Sequence, residues 1–111
     1  MKAWRYSDAP ASPGLILTDA ERPEPGPGEL LIRVHAAGVT PTERAWYPTT
    51  HRRDGGPRTG AVPGHEFSGT VAALGSGVGP TFAVGQEVFG MSDWFADGAT
   101  AEFCLAPAPT A

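Results

Sequence analysis

Apolar and polar residues alternate most regularly in two segments of this chain. In the first, Glu29 to Ala37, one face is apolar and the other carries Arg33 and His35. In the second, Phe67 to Leu74, one face consists of Phe67, Gly69, Val71 and Ala73. A period of two residues is typical of a β-strand with one buried face. We therefore predict two central strands, with His35 on the wetter face as a surface or hydrogen-bonded histidine.

Shorter alternating segments predict further strands around these two. They are Met1–Tyr6, Leu15–Leu17, Gln86–Gly90 and Ala99–Leu105, and the first two are candidates for pairing with each other. The chain has 15 Gly and 12 Pro residues, which break it every few residues. Short strands separated by Gly and Pro favour a mainly β fold, a barrel or a sandwich, over long helices.

One short helix is predicted after the first central strand. Thr40 is a candidate N-cap, Pro41 suits the first helical position and Glu43 completes a capping box. Pro48 is expected to end this helix, and a polar loop follows from Thr49 to Ala61, its charges either solvated or part of a lid. The tail, Ala106 to Ala111, has little apolar content and is expected to fray.

Composition narrows the class of protein. A chain of 111 residues suits one domain, and its net charge of −4 with scattered arginines does not predict nucleic-acid binding. Its single cysteine, Cys104, excludes an internal disulfide and is consistent with a cytoplasmic location. No apolar run approaches the roughly 20 residues needed to cross a membrane, so no membrane contact is expected.

The most specific motif runs from Gly64 to Val78. Its spacing is G-H-E-x2-G-x5-G-x2-V, with His65 and Glu66 directly before the second central strand. This motif resembles the signature of zinc-type alcohol dehydrogenases in the medium-chain dehydrogenase/reductase superfamily. The resemblance implies a GroES-like, partly open β-barrel with one or two short helices over residues 1–111. It also implies that the Rossmann cofactor domain of such enzymes is absent from these residues.

The zinc ligands of that resemblance are incomplete here. Zinc-dependent relatives have a cysteine where this chain has Thr40, and a hydroxyl is a poor zinc ligand at neutral pH. His65 and Glu66 alone are fewer than the three protein ligands of a catalytic zinc site. The four closely spaced cysteines of the structural zinc lobe are missing as well. We therefore expect no bound metal.

A second resemblance involves Gly38 to Glu43, G-V-T-P-T-E. It is similar to the G-V-N-P-x-D/E segment of the zinc-independent quinone oxidoreductase and enoyl reductase branch. The resemblance implies that Thr40 and Pro41 face the nicotinamide of NADP(H), and that hydride passes to a quinone or an activated alkene. Thr40 is a candidate hydroxyl donor to the developing oxyanion. The alternative is that Thr40 acts only as a helix cap.

Further candidate residues lie at strand ends and in loops. His65 and Glu66 could exchange protons in catalysis, or His65 could be packed and Glu66 could accept backbone N–H bonds. Four loop aromatics are candidates for a substrate wall or for covers of the barrel ends: Trp46, Tyr47, Trp94 and Phe95. Gly75 to Pro80 is predicted to be a hairpin turn rather than a phosphate-binding loop, because Pro80 occupies the last glycine position of that motif.

These observations leave two hypotheses about function. In the first, the chain is the N-terminal catalytic part of a zinc-independent NADP(H)-dependent oxidoreductase, inactive without a Rossmann-domain partner and prone to self-association. In the second, it is a stand-alone barrel that binds, isomerises or cyclises a hydrophobic small molecule without a cofactor. A purely structural interaction module is a weaker third hypothesis.

Overall fold

The computed structural model describes residues 1–7 and 14–108, and within them the fold is mainly β. The strands are β1 (Lys2–Tyr6), β2 (Leu15–Asp19), β3 (Glu29–Ala37), β4 (Glu66–Leu74), β5 (Glu87–Met91) and β6 (Phe103–Pro107). Between β3 and β4 lie a 3-10 turn (Glu43–Ala45) and a one-turn helix, α1 (Tyr47–Thr50). No helix in this part of the chain has the length and apolarity that crossing a membrane requires.

The strands form two antiparallel sheets. β1 and β2 pair as a hairpin, as the sequence predicts, and the larger sheet has the order β5-β4-β3-β6. A single bridge from Ala3 to Ala101 connects the hairpin to the segment before β6. The described strands do not close into a complete barrel. The mainly β prediction is confirmed, and the barrel is open.

The core lies on one face of the larger sheet. Leu30 and Ile32 of β3 are fully buried and pack in one cluster with Phe67 and Val71 of β4 and Cys104 of β6. These residues belong to the apolar faces that the alternation indicates. His35 is exposed and its Nε2 lies 3.1 Å from the Thr70 hydroxyl, which matches the prediction of a hydrogen-bonded surface histidine.

Gly69 allows β3 and β4 to approach each other closely. A Cβ atom at this position would overlap the carbonyl oxygen of Arg33 and the side chain of Ile32. The pairing of the two strands shifts register on either side of this contact, between Leu31 and Ile32 and between Val34 and Ala36. Glycine within the strand therefore accompanies a local irregularity, as expected.

Two local predictions need correction. The helical segment does not start with a cap at Thr40, because the 3-10 turn has Thr42 as its N-cap and no side-chain capping bond. Pro48 does not end a helix but lies in the first turn of α1. Proline is tolerated there because the N–H groups of the first turn make no intrahelical hydrogen bond.

The predicted tail also needs correction. Ala106 and Pro107 do not fray but belong to β6, which pairs with β3 through Leu30 opposite Ala106 and Glu29 opposite Pro107. Ala106 is fully buried, so pairing with β3 outweighs the weak local propensity of this segment. Residues 109–111 lie outside the described part of the chain.

Candidate functional site

A small cleft lies where β3 ends, β4 begins and β5 ends. Its volume is about 30 Å³, enough for about two water molecules. Both polar and aromatic side chains line it. The cleft is lined by Gly38, Thr40, Glu43, Trp46, His65, Glu66, Met91 and Trp94.

Gly64 determines how the chain enters this cleft. Its φ of +84° is a conformation that residues with a Cβ rarely adopt. A Cβ atom there would also lie 2.6 Å from the Thr100 hydroxyl oxygen. Gly64 thus turns the chain tightly, and His65 follows at the base of the cleft.

His65 is buried between two polar side chains. Its ring is held by Ser92, whose Oγ lies 2.7 Å from Nδ1, and its Nε2 lies 3.7 Å from Oε2 of Glu43. A backbone hydrogen bond from the Ser92 N–H to the His65 carbonyl, 2.8 Å long, fixes the same pair. The neutral tautomer with hydrogen on Nε2 satisfies both sides, because the Ser92 hydroxyl donates to Nδ1 while the Nε2–H faces the carboxylate.

Glu43 is the carboxylate of this site, and it is only 3% exposed. Its two carboxylate oxygens accept the Gly64 N–H at 3.0 and 3.2 Å. Its backbone carbonyl accepts hydrogen bonds from the Thr49 hydroxyl at 2.7 Å and from the Trp46 N–H at 3.0 Å. The 3-10 turn therefore holds the carboxylate against both the Gly64 backbone and His65.

The surroundings favour the neutral form of His65. Burial lowers the pKa of its imidazole below the ordinary value, Glu43 opposes this shift, and the positive charge of Arg58 adds to it. A neutral imidazole close to a buried carboxylate can accept and return a proton. It can also serve only to position the loop.

Glu66 has a different environment from the one predicted. Its side chain is exposed at the rim of the cleft, beside Gly38, and its backbone carbonyl accepts the Gly38 N–H at 2.8 Å. One of the two predictions for Glu66 was that it accepts a backbone N–H bond at the glycine turn. In the structure Glu43 does this, since its carboxylate accepts the Gly64 N–H. The acid that faces His65 is likewise Glu43.

Thr40 and Pro41 lie together in the segment after β3. Thr40 is exposed and lines the cleft, and it also borders a neighbouring cavity of about 90 Å³ together with Val39 and Pro63. Pro41 is exposed and does not line the cleft. Thr40 therefore borders the cleft, whereas Pro41 is set back from it.

The four loop aromatics divide into two groups. Trp46 and Trp94 line the cleft, and their rings stack with centroids 5.1 Å apart. Tyr47 stacks on His51 and meets the edge of Phe95, so these rings form a second cluster beside the cleft. The stacked tryptophans are the apolar wall of the cleft.

The donor set at the cleft does not fit a zinc centre. His65 directs Nδ1 to Ser92, its Nε2 faces Glu43, and Thr40 offers a hydroxyl. Within residues 1–7 and 14–108, no group of three or more His, Cys, Asp or Glu side chains is arranged to hold a metal ion. A protein zinc site takes three or four ligands, mostly His nitrogen and Cys sulfur.

Two residues of this site escaped the sequence reasoning. Glu43 was predicted only as a capping-box residue, and Ser92 was not predicted at all. The burial of Glu43 depends on Gly64, which lies 21 positions away. An acidic residue in the G-V-T-P-T-E segment was the available signal for Glu43. Nothing in the local pattern around Ser92 indicated a contact with His65.

Comparison with protein families identifies the class. Residues 26–110 match the alcohol dehydrogenase GroES-like domain, so the chain belongs to this family within the medium-chain dehydrogenase/reductase superfamily.

Individual relatives differ in activity. L-threonine 3-dehydrogenase of Idiomarina loihiensis is 39% identical over 83 residues, which are 72% of this chain and 23% of that protein. A trans-enoyl reductase of Pyricularia oryzae is 39% identical over 72 residues, 65% of this chain and 18% of the relative. A zinc-type alcohol dehydrogenase-like protein of Schizosaccharomyces pombe is 30% identical over 115 residues, 96% of this chain and 32% of the relative.

Solved structures agree on the fold. An alcohol dehydrogenase superfamily protein of Novosphingobium aromaticivorans superposes with a TM-score of 0.80 and 28% identity, covering 99% of this chain and 33% of that one. The quinone oxidoreductase of Coxiella burnetii superposes with a TM-score of 0.75 and 28% identity, covering 99% of this chain and 35% of that one. A mycobacterial protein whose structure was solved in complex with NADPH superposes with a TM-score of 0.72 and 38% identity, covering 99% of this chain and 31% of that one. The chain thus spans between 18% and 35% of the length of these relatives.

Proposed function

We propose that this chain forms the substrate side of a zinc-independent, NADP(H)-dependent oxidoreductase that acts on a quinone, an enone or a similar carbonyl compound. The observation behind the proposal is the cleft itself, in which a hydroxyl, a buried histidine and a stacked aromatic wall converge without a zinc-type donor set. We also propose that the protein works in the reducing environment of the cytoplasm, which is consistent with its single cysteine.

The nucleotide is only partly accommodated by these residues. Thr40 can contact a nicotinamide ring placed over the cleft, with Pro41 beside it. The loop from Gly75 to Pro80 leads into strand β5, whereas a dinucleotide-binding glycine loop opens a helix. The pyrophosphate of NADP(H) would therefore be held by a nucleotide-binding domain outside these 111 residues.

Each side chain of the cleft has one task in this proposal. NADPH, when bound, would supply a hydride, that is, one proton together with two electrons, to the substrate. The Thr40 hydroxyl donates a hydrogen bond to the oxygen on which negative charge develops. The enclosed space of about 30 Å³ is too small for a quinone, so the flat conjugated substrate lies across the open mouth of the cleft, where the stacked tryptophans orient it. One proton from solvent completes the reduction, and the exposed Glu66 is placed to relay it.

His65 has a supporting task. Its neutral imidazole, held between Ser92 and Glu43, keeps Gly64 and the cleft floor in position and excludes water from that side. The alternative task for His65, direct proton exchange with substrate, makes a different prediction. It requires that replacing His65 abolishes turnover without changing how tightly the substrate binds.

The first experiment uses the isolated chain. Titration with the quinone menadione is expected to quench the fluorescence of Trp46 and Trp94. Trp46→Phe and Trp94→Phe should each weaken the quenching and the binding. Trp4→Phe is the matched control, because Trp4 is about as exposed as Trp94 but lies in the β1–β2 hairpin. Equal quenching in all three variants would contradict the assignment of the cleft.

The second experiment tests catalysis. Residues 1–108 replace the equivalent part of the Coxiella burnetii quinone oxidoreductase, and oxidation of NADPH by menadione is followed. Activity that falls on Thr40→Ala, but not on the exposed-loop control Thr59→Ala, supports the proposal. A product formed from a hydrophobic substrate by the isolated chain, without nucleotide, would instead favour the cofactor-free barrel.

A further inference from the structure

Arg58 bridges the two segments that carry the stacked tryptophans. It lies in the loop between α1 and β4, and its side chain is 12% exposed. Its Nη1 donates to the carbonyl oxygen of Pro48 at 2.8 Å and to that of Trp94 at 3.2 Å. One guanidinium group thus holds the backbone of α1 and the backbone of the loop between β5 and β6.

Asp97 keeps this guanidinium in place. Its Oδ1 accepts a hydrogen bond from Nη2 of Arg58 at 3.2 Å and another from the Val62 N–H at 3.1 Å. Its Oδ2 accepts from Nη1 of Arg5, in β1, at 3.0 Å. The carboxylate is therefore tied to β1 and to the segment before β4, which fixes the position from which Arg58 reaches across.

Other contacts between the two segments are weaker. Arg53 pairs with Asp93, but the Arg53 side chain is 67% exposed, and exposed ion pairs contribute little. The Trp46–Trp94 stack itself is partly open to solvent, since Trp94 is 43% exposed. Tyr47 also meets the edge of Phe95 across the two segments. Among the polar contacts between them, those of the largely buried Arg58 with its three partners are the firmest.

We propose that Arg58 is a positioning residue that sets the spacing of Trp46 and Trp94, and hence the width of the aromatic wall of the cleft. The guanidinium uses two separate nitrogens, with Nη1 directed to both carbonyls and Nη2 to the carboxylate. The ammonium group of lysine places its three donors on one nitrogen, so lysine is not an adequate substitute. The geometric part of this inference is independent of the proposed function. Its consequence for substrate binding rests on that function.

The test measures the two tryptophans directly. Indole rings stacked at this distance couple their ultraviolet transitions, which gives paired circular dichroism bands of opposite sign. Trp94→Phe identifies the bands. Arg58→Gln is expected to remove more than about half of their amplitude, because its shorter amide cannot span both carbonyls. Arg52→Gln is the matched control, since Arg52 is in the same loop and its exposed side chain forms an ion pair with the exposed Asp54.

A second variant covers the case in which Arg58→Gln does not fold. Arg58→Lys keeps the charge, and its bands are expected to fall below those of Arg52→Lys. Unchanged bands in folded Arg58→Gln, or in Arg58→Lys if the glutamine variant is unfolded, would overturn the inference.

Menadione titration of the same variants then tests the consequence for binding. We expect about tenfold weaker binding when the bands are lost. If the circular dichroism bands are lost but menadione binds as tightly as before, Arg58 still positions the two tryptophans. That result would contradict the proposal that the tryptophan wall binds the substrate.

Discussion

The Nε2 atom of His65 lies 3.7 Å from Oε2 of Glu43, and both side chains are buried. The same carboxylate accepts the N–H of Gly64, the residue immediately before His65. Glu43 therefore fixes the tight turn and the imidazole together. The cleft is organised by this tertiary contact rather than by the adjacent pair His65 and Glu66.

Removing the Glu43 carboxylate should destabilise the domain. Glu43→Ala leaves the Gly64 N–H without its acceptor in a buried site, and we expect a loss of about 1 to 3 kcal/mol in the free energy of unfolding. Urea denaturation measures it. Glu24→Ala, at an exposed position, is the control and should change stability by less than about 0.5 kcal/mol. Similar values for the two variants would show that the Glu43 contact contributes nothing.

Stability should fall as the pH falls below the ordinary histidine value of 6.5. In the unfolded chain His65 takes up a proton near that pH, whereas in the folded chain burial lowers its pKa and keeps it neutral. The unfolded state then binds more protons, so acid favours unfolding. Denaturation curves between pH 7 and pH 5 should show this slope, and His65→Gln should reduce it. A slope unaffected by His65→Gln would rule out this source.

Two glycines with similar positive φ angles allow backbone strain to be separated from the effect of packing. Gly64 and Gly28 have φ angles of +84° and +75°, but only at Gly64 would a Cβ atom meet other atoms. Gly28→Ala should cost about 1 kcal/mol, from backbone strain alone. Gly64→Ala should cost more, because it also displaces the Thr100 side chain. Equal losses in thermal denaturation would mean that the Thr100 contact relaxes freely.

The only cysteine should be unreactive in the folded protein. Burial raises the pKa of the Cys104 thiol to about 12, so hardly any thiolate forms at neutral pH. We expect Ellman's reagent to modify Cys104 only at the rate at which the domain opens, and rapidly in denaturant. Fast modification under native conditions would indicate that β6 separates easily from β3.

The strands could be predicted from the sequence because their burial follows local alternation. The predicted strand Glu29 to Ala37 has the bounds of β3, and β4 begins one residue before the predicted Phe67. The position of β6 could not be predicted in the same way. Its register follows from pairing with β3, which carries the strand past Leu105 to Pro107.

The site was harder to predict than the fold. The segment with Thr40 and the motif with His65 were found because each is a continuous pattern. The sequence offers the neighbouring Glu66 as one candidate partner of His65, but it does not show that a 3-10 turn brings Glu43 back to Gly64 and His65. Contacts between distant segments, such as those of Ser92 and Arg58, have no local signature.

Zinc titration of the isolated chain, followed by nuclear magnetic resonance of the His65 imidazole nitrogens, tests the central claim most directly. If the two ring nitrogens of His65 are occupied by Ser92 and Glu43, equimolar zinc should leave both nitrogen signals unchanged. Acidification should shift the signals, because it protonates the imidazole. Stoichiometric zinc binding with a shift of the Nε2 signal would contradict the zinc-independent account.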